Sequence, residues 1–192
     1  MKLNPKNIAL FGTSADPPTI GHKKIIKELS KVFSLVITYA SDNPSKTHKE
    51  NLSFRSLLLD FLIKDLNTPN VLFDQAMSSP WAIRSIEKCK LKYNTKKVTF
   101  VIGSDLIDQI VLWKNFYELV KESSLYIIPR ESHPLNKRNL ESIKLNGGNY
   151  KIASFKIPNI SSSMVREKNL SDLLPESLIE IIKDKNLYQN LE

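Results

Sequence analysis

Two polar segments near opposite ends of the chain contain residue types that bind phosphate. The first runs from Gly12 to His22 and reads Gly-Thr-Ser-Ala-Asp-Pro-Pro-Thr-Ile-Gly-His, directly after an apolar run. A glycine after a buried strand lets a phosphate approach the backbone, and a helix N-terminus offers free N–H groups to an anion. Thr19 and His22, three residues apart, would share one helix face. Taken alone, the segment could also be a capped helix with an incidental histidine.

The second segment reads Ile-Ser-Ser-Ser-Met-Val-Arg and runs from Ile160 to Arg166. Three hydroxyls open a predicted helix, and the arginine follows about one turn later. Hydroxyls and amides at a helix start can hold phosphate oxygens, and an arginine adds a charged fork. Serine capping with a solvent-facing arginine is the alternative for this segment alone. Because both segments follow predicted strands, we expect them to meet at one edge of a sheet.

The elements that must position these residues alternate between strand and helix. Apolar runs predict strands at 7–11, 35–39, 71–73, 98–102, 125–128 and 152–155. Helices are predicted at 19–33, from 53 onward, at 81–93, 105–112, 114–122, near 136–145, at 163–168 and at 175–186. The alternation predicts an α/β fold: one Rossmann-like domain over residues 1–192, with a doubly wound parallel sheet flanked by helices and a small C-terminal helical segment. Ligands of such folds bind beyond the carboxyl ends of the strands.

The chain carries a net charge of +8 and has a pI near 9.4, which favours polyanionic partners. The excess is almost entirely lysine, whereas proteins that read nucleic acid depend on arginine for two-pronged contacts. No basic stripe with interleaved aromatic residues occurs. We therefore expect small phosphorylated substrates and no nucleic-acid partner. A basic nucleic-acid-binding module is the alternative from another functional class.

Several motifs of other enzyme classes are absent from the sequence. It contains no Gly-x4-Gly-Lys-Ser/Thr, no Gly-x-Gly-x-x-Gly and no Gly-x-Ser-x-Gly. His22, His48 and Cys89 lack the spacing of metal ligands, so no protein-bound metal is predicted. A lone cysteine, no apolar run of about 18 residues and no apolar leader in residues 1–6 predict a cytoplasmic protein without membrane contact.

The two phosphate-binding segments resemble those of nucleotidyltransferases with a His/Thr-x-Gly-His signature and a later Ile-Ser-Ser-Ser/Thr-x-x-Arg signature. Within that group the chain is most similar to bacterial nicotinate-nucleotide adenylyltransferases, over roughly residues 8–188. Further matches occur in the same order as in that family: the loop 42–49 ending His-Lys, Arg55 after it, Gly-Ser-Asp at 103–105 with Trp113, and Ile-Pro-Arg at 128–130.

The resemblance implies adenylyl transfer from ATP to nicotinate mononucleotide, giving deamido-NAD and pyrophosphate in NAD biosynthesis, with Mg²⁺ carried by ATP. The catalytic residues that it implies are His22, Thr19, Lys49 and Arg166. The ATP-binding residues that it implies are Gly12, Thr13, Thr19, His22, Ser161, Ser162 and Arg166. The mononucleotide-binding residues that it implies are His48, Lys49, Asp105, Trp113 and Arg130. A homo-oligomer is left open.

Three positions depart from the pattern of that family. Thr19 stands where many members carry a first histidine, and its hydroxyl can donate to phosphate but carries no charge. Ala15 replaces a usual phenylalanine. Ala82, within Ser79–Arg84, lacks the hydroxyl of the usual Ser-Tyr-Thr, which leaves the choice between nicotinate and nicotinamide open. Pantetheine-phosphate adenylyltransferase and an inactive metabolite sensor are the related alternatives.

Each outer position also has a structural explanation. Trp113 could be a core residue, Asp105 a helix cap, and His48 an ordinary loop histidine. Lys49 could be a solvated charge. Arg55 is expected to be structural rather than catalytic, Cys89 to be a packing residue and His133 to lie on the surface.

Overall fold

A single six-stranded parallel sheet forms the centre of the computed structural model, which describes residues 7–168 and 170–188. The strand order is β3-β2-β1-β4-β5-β6. The strands are β1 (Ile8–Thr13), β2 (Leu35–Ala40), β3 (Val71–Phe73), β4 (Val98–Gly103), β5 (Ser124–Ile128) and β6 (Asn149–Ile152). The chain winds outward from β1 to β3, then returns to β4 beside β1. This switch point is where ligands of open α/β sheets bind.

Eight α-helices cover the sheet within the described residues. They are α1 (Ile20–Val32), α2 (Leu52–Leu66), α3 (Ala82–Lys92), α4 (Ile107–Ile110), α5 (Phe116–Glu122), α6 (Lys137–Leu145), α7 (Ser162–Lys168) and α8 (Glu176–Asp184). Short 3₁₀ turns at 75–77, 104–106 and 171–173 join some of them. None of the helices in residues 7–168 and 170–188 has the length and apolar character needed to cross a membrane.

The strand sequence places apolar residues on both faces of the sheet. Side chains alternate along a strand, so Ile8 and Leu10 face one layer of helices while Ala9 and Phe11 face the other. Burial on both faces is the reason that central parallel strands are continuously apolar. The first layer includes α3 and α5, and the second includes α1, α2 and α8. Both layers fix the carboxyl end of β1, from which the first polar segment starts.

The predicted fold class is confirmed, but the last strand was placed wrongly. The apolar run at 152–155 predicted a strand there, whereas β6 spans Asn149–Ile152. This strand pairs only with β5 at the sheet edge and is largely exposed, so it has no need of apolar residues. Ala153 and Phe155 lie beyond it, where Phe155 packs against Tyr126 with ring centroids 6.4 Å apart. The predicted absence of a leader in residues 1–6 lies outside the described residues.

Candidate active site

The carboxyl ends of the central strands open into a cavity of about 620 Å³. Segments from both halves of the sheet line it, including the loop after β1, the loop after β2 and the segment before α7. We call the part around Gly12, His22, Ser161 and Arg166 the phosphate end. We call the part around Trp81, Phe100, Trp113 and Lys114 the aromatic end. All eight residues line the same cavity.

His22 lies in the first turn of α1 with one ring nitrogen already engaged. The backbone N–H of Thr19 donates to its Nδ1 over 3.1 Å, and the Thr19 hydroxyl lies 2.9 Å from the same nitrogen. A neutral imidazole that accepts at Nδ1 carries its proton on Nε2. The ring therefore offers an N–H donor through Nε2. Thr19 itself is completely buried and is not among the residues that line the cavity.

The surroundings of His22 keep its imidazole neutral. Burial, followed by the positive charges of Arg130 and Lys46, lowers the pKa of His22 to about 3. Burial removes water from the ring, and this costs the charged imidazolium more free energy than the neutral imidazole. At neutral pH the ring is therefore neutral and is not a preformed cation.

The second polar segment meets the first at the phosphate end. The Ser162 hydroxyl donates to the Pro17 carbonyl over 2.8 Å. The Arg166 guanidinium donates to the Asp16 carbonyl and, over 3.3 Å, to the Ser163 hydroxyl. Ser161 Oγ accepts from the Met164 N–H over 3.2 Å, which leaves the Ser161 O–H free to donate. The two segments that were expected to meet at one sheet edge are thus in direct contact.

The chain passes close to itself beside Gly12. A Cβ at this position would collide with the ring of Tyr39, which lies near the end of β2 and lines the cavity. Any other residue at position 12 would therefore push the Tyr39 ring from its place in the cavity wall. Gly12 and Thr13 both form part of the cavity wall.

The loop after β2 presents a different lysine from the one predicted. Lys46 lines the cavity and is close enough to His22 to lower its pKa. Lys49 is exposed and does not line the cavity, and its backbone N–H donates to Asp16 Oδ2 over 2.7 Å. His48 does line the cavity, and its Nε2 is buried with no hydrogen-bond partner among the described residues. The loop therefore brings Lys46 and His48 to the site and holds Lys49 by its backbone.

An ion pair joins the ends of β4 and β5. Arg130 Nε lies 3.0 Å from Asp105 Oδ1, without the alignment of a hydrogen bond. A Cβ at Gly103 would collide with this carboxylate, so the glycine makes room for the pair. Ser104 Oγ accepts from the Arg130 N–H over 2.9 Å and donates to the His133 carbonyl over 2.7 Å. These bonds fix the loop ends on which both charged residues lie.

Two tryptophans and one lysine form the outer part of the aromatic end. Trp113 packs edge-on against Phe100, with ring centroids 6.4 Å apart and planes at 78°. Lys114 Nζ lies 4.7 Å from the ring centroid of Trp81, a cation–π distance. Lys114 forms no ion pair with a carboxylate of the described residues. This part of the site suits a planar ring and tolerates a negative charge on it.

Most of the residues predicted for the site lie around the cavity. Those that line it are Gly12, Thr13, His22, His48, Asp105, Trp113, Arg130, Ser161, Ser162 and Arg166. Thr19 and Lys49 do not line it. Lys46 and Lys114 line it but were not predicted, because nothing in the local sequence shows which loop side chain turns inward. Tyr39, near the end of β2, also lines it and was not predicted. Arg55 and Cys89 are buried and His133 is exposed, as expected.

Arg55 shows why a buried arginine need not be catalytic. Its NH1 donates to the carbonyls of Ser14 and Ser41 over 2.7 and 2.9 Å, and its Nε donates to the Glu50 carbonyl over 3.1 Å. Burial lowers the pKa of Arg55, partly opposed by the charge of Asp16. The guanidinium thus ties the loops after β1 and β2 together by their backbones.

Fold and site together define a nucleotidyltransferase. The switch-point cavity combines a glycine at a strand end, a neutral histidine at a helix N-terminus and an arginine from a distant segment, which suits a polyphosphate. Residues 10–168 match the protein family described as cytidylyltransferase-like. The chain belongs to this family, as the sequence predicted.

Relatives in the same family cover nearly the whole chain. A probable nicotinate-nucleotide adenylyltransferase of Synechocystis is 32% identical over 95% of this chain and 98% of its own length. A probable nicotinate-nucleotide adenylyltransferase of Buchnera aphidicola is 28% identical over 94% of this chain and 95% of its own length.

Solved structures show the same fold. Plasmodium falciparum nicotinic acid mononucleotide adenylyltransferase complexed with NaAD matches with a TM-score of 0.78 and 22% identity, over 97% of this chain and 100% of that one. The same enzyme complexed with APC matches with a TM-score of 0.75 and 23% identity, over the same shares. At these identities the likeness extends to the fold alone.

Proposed function

We propose that the protein transfers the adenylyl group of ATP to nicotinate mononucleotide, giving deamido-NAD and pyrophosphate in NAD biosynthesis. The observation that carries this proposal is the meeting of His22 and Arg166 at one cavity, from segments at opposite ends of the chain. The names of the full-length relatives supply the acceptor.

The reaction joins two anions and needs no covalent enzyme intermediate. A 5′-phosphate oxygen of the acceptor attacks the α-phosphorus of ATP, a new P–O bond forms, and the bond to the β-phosphate breaks so that pyrophosphate leaves. Two unit charges brought together near a protein surface repel by about 4 kcal/mol at 4 Å. The protein must offset this repulsion and hold the reacting atoms in line.

The phosphate end contains the donors for this task. The His22 Nε2–H supplies a neutral donor, and Arg166 supplies a charged fork whose direction is fixed by the Asp16 carbonyl. The Ser161 hydroxyl and the backbone at Gly12 and Thr13 complete the set. Because these donors are already held by other bonds, little reorganisation accompanies the transition state.

Two predicted roles are revised in this proposal. We assign Thr19 to orienting His22 instead of contacting phosphate, since it is buried and bonded to Nδ1. We assign the cationic role of the loop after β2 to Lys46 instead of Lys49, since Lys46 is the one that lines the cavity. Ser162 is a weaker phosphate donor than Ser161 because its proton is directed to Pro17.

The acceptor would occupy the rest of the cavity. His48, with its unpartnered Nε2, is suited to the acceptor phosphate. Asp105 and Arg130 lie at the ends of β4 and β5, where ribose hydroxyls can be bonded, and Trp113 offers an aromatic surface to a planar ring.

The divalent cation would arrive with ATP. Mg²⁺ is usually held by substrate phosphates plus one or two carboxylates. Within residues 7–168 and 170–188 no group of three or more His, Cys, Asp or Glu side chains is arranged to hold a metal. Asp16 already accepts from Lys49, Glu50 and Tyr188. We therefore propose that Mg²⁺ would be held mainly by the triphosphate of ATP and would supply charge neutralisation there. A cytoplasmic location stays a prediction.

One incubation tests the proposal directly. The purified protein is mixed with ATP, Mg²⁺ and one acceptor at a time, and pyrophosphate and the nucleotide product are measured. Nicotinate mononucleotide should give deamido-NAD. Pyrophosphate release only with 4′-phosphopantetheine, or with no acceptor at all, would refute the proposed function.

A further inference from the structure

The loop between β1 and α1 is held by an unusual concentration of long-range bonds. Arg55 binds the Ser14 carbonyl, Arg166 the Asp16 carbonyl, and the Ser162 hydroxyl the Pro17 carbonyl. At the centre is the Asp16 side chain, which is only 2% exposed. A buried carboxylate is costly unless several donors satisfy it, so its partners indicate what it organises.

The partners of the Asp16 carboxylate come from three separate parts of the chain. The backbone N–H groups of Lys49 and Glu50 donate over 2.7 and 3.2 Å. The Tyr188 hydroxyl donates over 2.9 Å, from a residue just beyond α8. Arg166 NH1 lies 3.6 Å from Oδ2, in addition to its bond to the Asp16 carbonyl.

The contacts with Lys49, Glu50 and Arg166 bear on side chains that line the cavity. The bonds to Lys49 and Glu50 anchor the carboxyl end of the loop that carries Lys46 and His48 into the cavity. The ion pair with Arg166 limits the directions that its guanidinium can take. Tyr188 closes the carboxylate from the far side, and burial followed by the charge of Asp16 raises the pKa of this tyrosine. The tyrosine therefore remains a neutral donor.

We propose that Asp16 is a positioning residue of the active site, whose buried carboxylate holds Arg166 and the loop carrying Lys46 and His48 in their working directions. Asp16 itself lines the cavity, and its effect is assigned to these groups and not to contact with a reacting atom. The inference rests on the proposed function, because Arg166 is assigned there to the triphosphate. A carboxylate near a phosphate site opposes anion binding, so its presence is explained by the order it imposes on the cation beside it.

The test is a double-mutant cycle that combines Asp16→Asn with Arg166→Ala. Asparagine has nearly the same size but carries no charge, and its NH₂ cannot accept from the backbone donors. In the wild-type background we expect kcat to fall about tenfold or more, the scale of a misplaced catalytic group. In the Arg166→Ala background the same change should lower kcat by a clearly smaller factor, about threefold, because only its effect through the loop carrying Lys46 and His48 remains.

Tyr188→Phe is the matched control for a loss of stability. It removes one buried hydrogen bond to the same carboxylate but keeps the charge, so the melting temperature should fall while kcat stays within about threefold. A drop in kcat as large as that of Asp16→Asn would mean that stability alone explains both. Equal effects of Asp16→Asn in the two backgrounds would likewise overturn the proposal.

Two further outcomes remain distinguishable. If Asp16→Asn does not fold, Asp16→Glu replaces it in the cycle, because glutamate keeps the charge but shifts the carboxylate by one methylene. It should show the same unequal effects, and equal effects would again overturn the proposal. If the wild type makes no dinucleotide, the proposed function fails, and the cycle is then read from calorimetric ATP affinity with the same expectation of unequal effects.

Discussion

The two ends of the cavity are built on different principles. At the phosphate end, His22 and Arg166 are held by bonds to Thr19 and Asp16 that are made within the protein. At the aromatic end, Trp81 is 40% exposed, Lys114 is also exposed, and the Lys114 ammonium lies over the Trp81 ring. One end is preorganised by a buried polar network, and the other is formed by side chains at the rim.

This difference matches the two tasks of an adenylyl transfer. The triphosphate must be held in line for attack, where misplacement by about 1 Å can cost a hundredfold in rate. The ring of the acceptor must only be selected and held, where single contacts contribute less. Changes at the phosphate end should therefore affect turnover strongly, and changes at the aromatic end should alter preference by small factors.

The largest expected effect is the change in proton affinity of His22. Its pKa near 3 lies below the ordinary 6.5, which corresponds to a proton affinity lower by a factor on the order of a thousand. The Cε1–H resonance of His22 in the free protein should not titrate between about pH 8 and 5. Nuclear magnetic resonance, with His22→Ala to assign the signal, checks this. A midpoint near 6.5 would show that the imidazole is not held neutral.

The same shift predicts the direction of acid instability. The unfolded chain protonates His22 near its ordinary pKa, whereas the folded protein does so only near pH 3. Neutral His22 therefore contributes its full share to the free energy of unfolding above about pH 6.5, and this share is lost as the pH falls toward 3. Denaturant titrations of wild type and His22→Ala should converge in stability as the pH is lowered. Divergence would contradict the assignment.

The next effect concerns turnover. His22→Ala removes the Nε2–H donor, and loss of one preorganised transition-state donor costs about 10²-fold or more in kcat. Thr19→Val should have a smaller effect, since the Thr19 backbone N–H, which orients the ring, remains. Pyrophosphate release at saturating substrates measures both. Normal turnover of a folded His22→Ala protein would remove this residue from the mechanism.

The part of the site that could be predicted is the part fixed by topology. Gly12 lies at the carboxyl end of β1, and His22 and Ser161 come after β1 and β6, so the strand pattern brings all three to one edge of the sheet. The direction of a loop side chain has no such constraint. The sequence does not separate Lys46 from Lys49, and only the folded loop shows that Lys46 is the one that lines the cavity.

Single side-chain contacts between segments that no sequence pattern links were also beyond prediction. The Asp16 carboxylate meets the Tyr188 hydroxyl across nearly the whole chain, and neither residue lies in a pattern that points to the other. The boundary of β6 was missed for a related reason, because the apolar Ala153 and Phe155 pack beyond an edge strand instead of within it. Hydrophobic periodicity and residue propensity describe local structure. The contact of Asp16 with Tyr188 and the end of β6 depend instead on residues that are distant in the sequence and adjacent in the fold.

The two lysines give a matched comparison within one loop. Lys46→Ala removes a charge that lines the cavity and should raise the KM for substrate about three- to tenfold, the range for one partly exposed charge-assisted contact. Lys49→Ala leaves the backbone bond to Asp16 intact and should change KM by less than about twofold, as an exposed charge does. Steady-state kinetics at constant ionic strength measures both. A larger effect at Lys49 would restore the role first predicted for it.

The smallest expected effect lies at the aromatic end and concerns the choice of acceptor. Lys114 is the cation over Trp81, so Lys114→Gln should reduce the preference for nicotinate over nicotinamide mononucleotide by about three- to fivefold, the most that an exposed charge pair provides. Lys121→Gln, on α5 and away from the cavity lining, is the matched control of equal charge change. The readout is the ratio of kcat/KM for the two acceptors. A changed KM for ATP with an unchanged ratio would place the adenine ring, and not the pyridine ring, at this end.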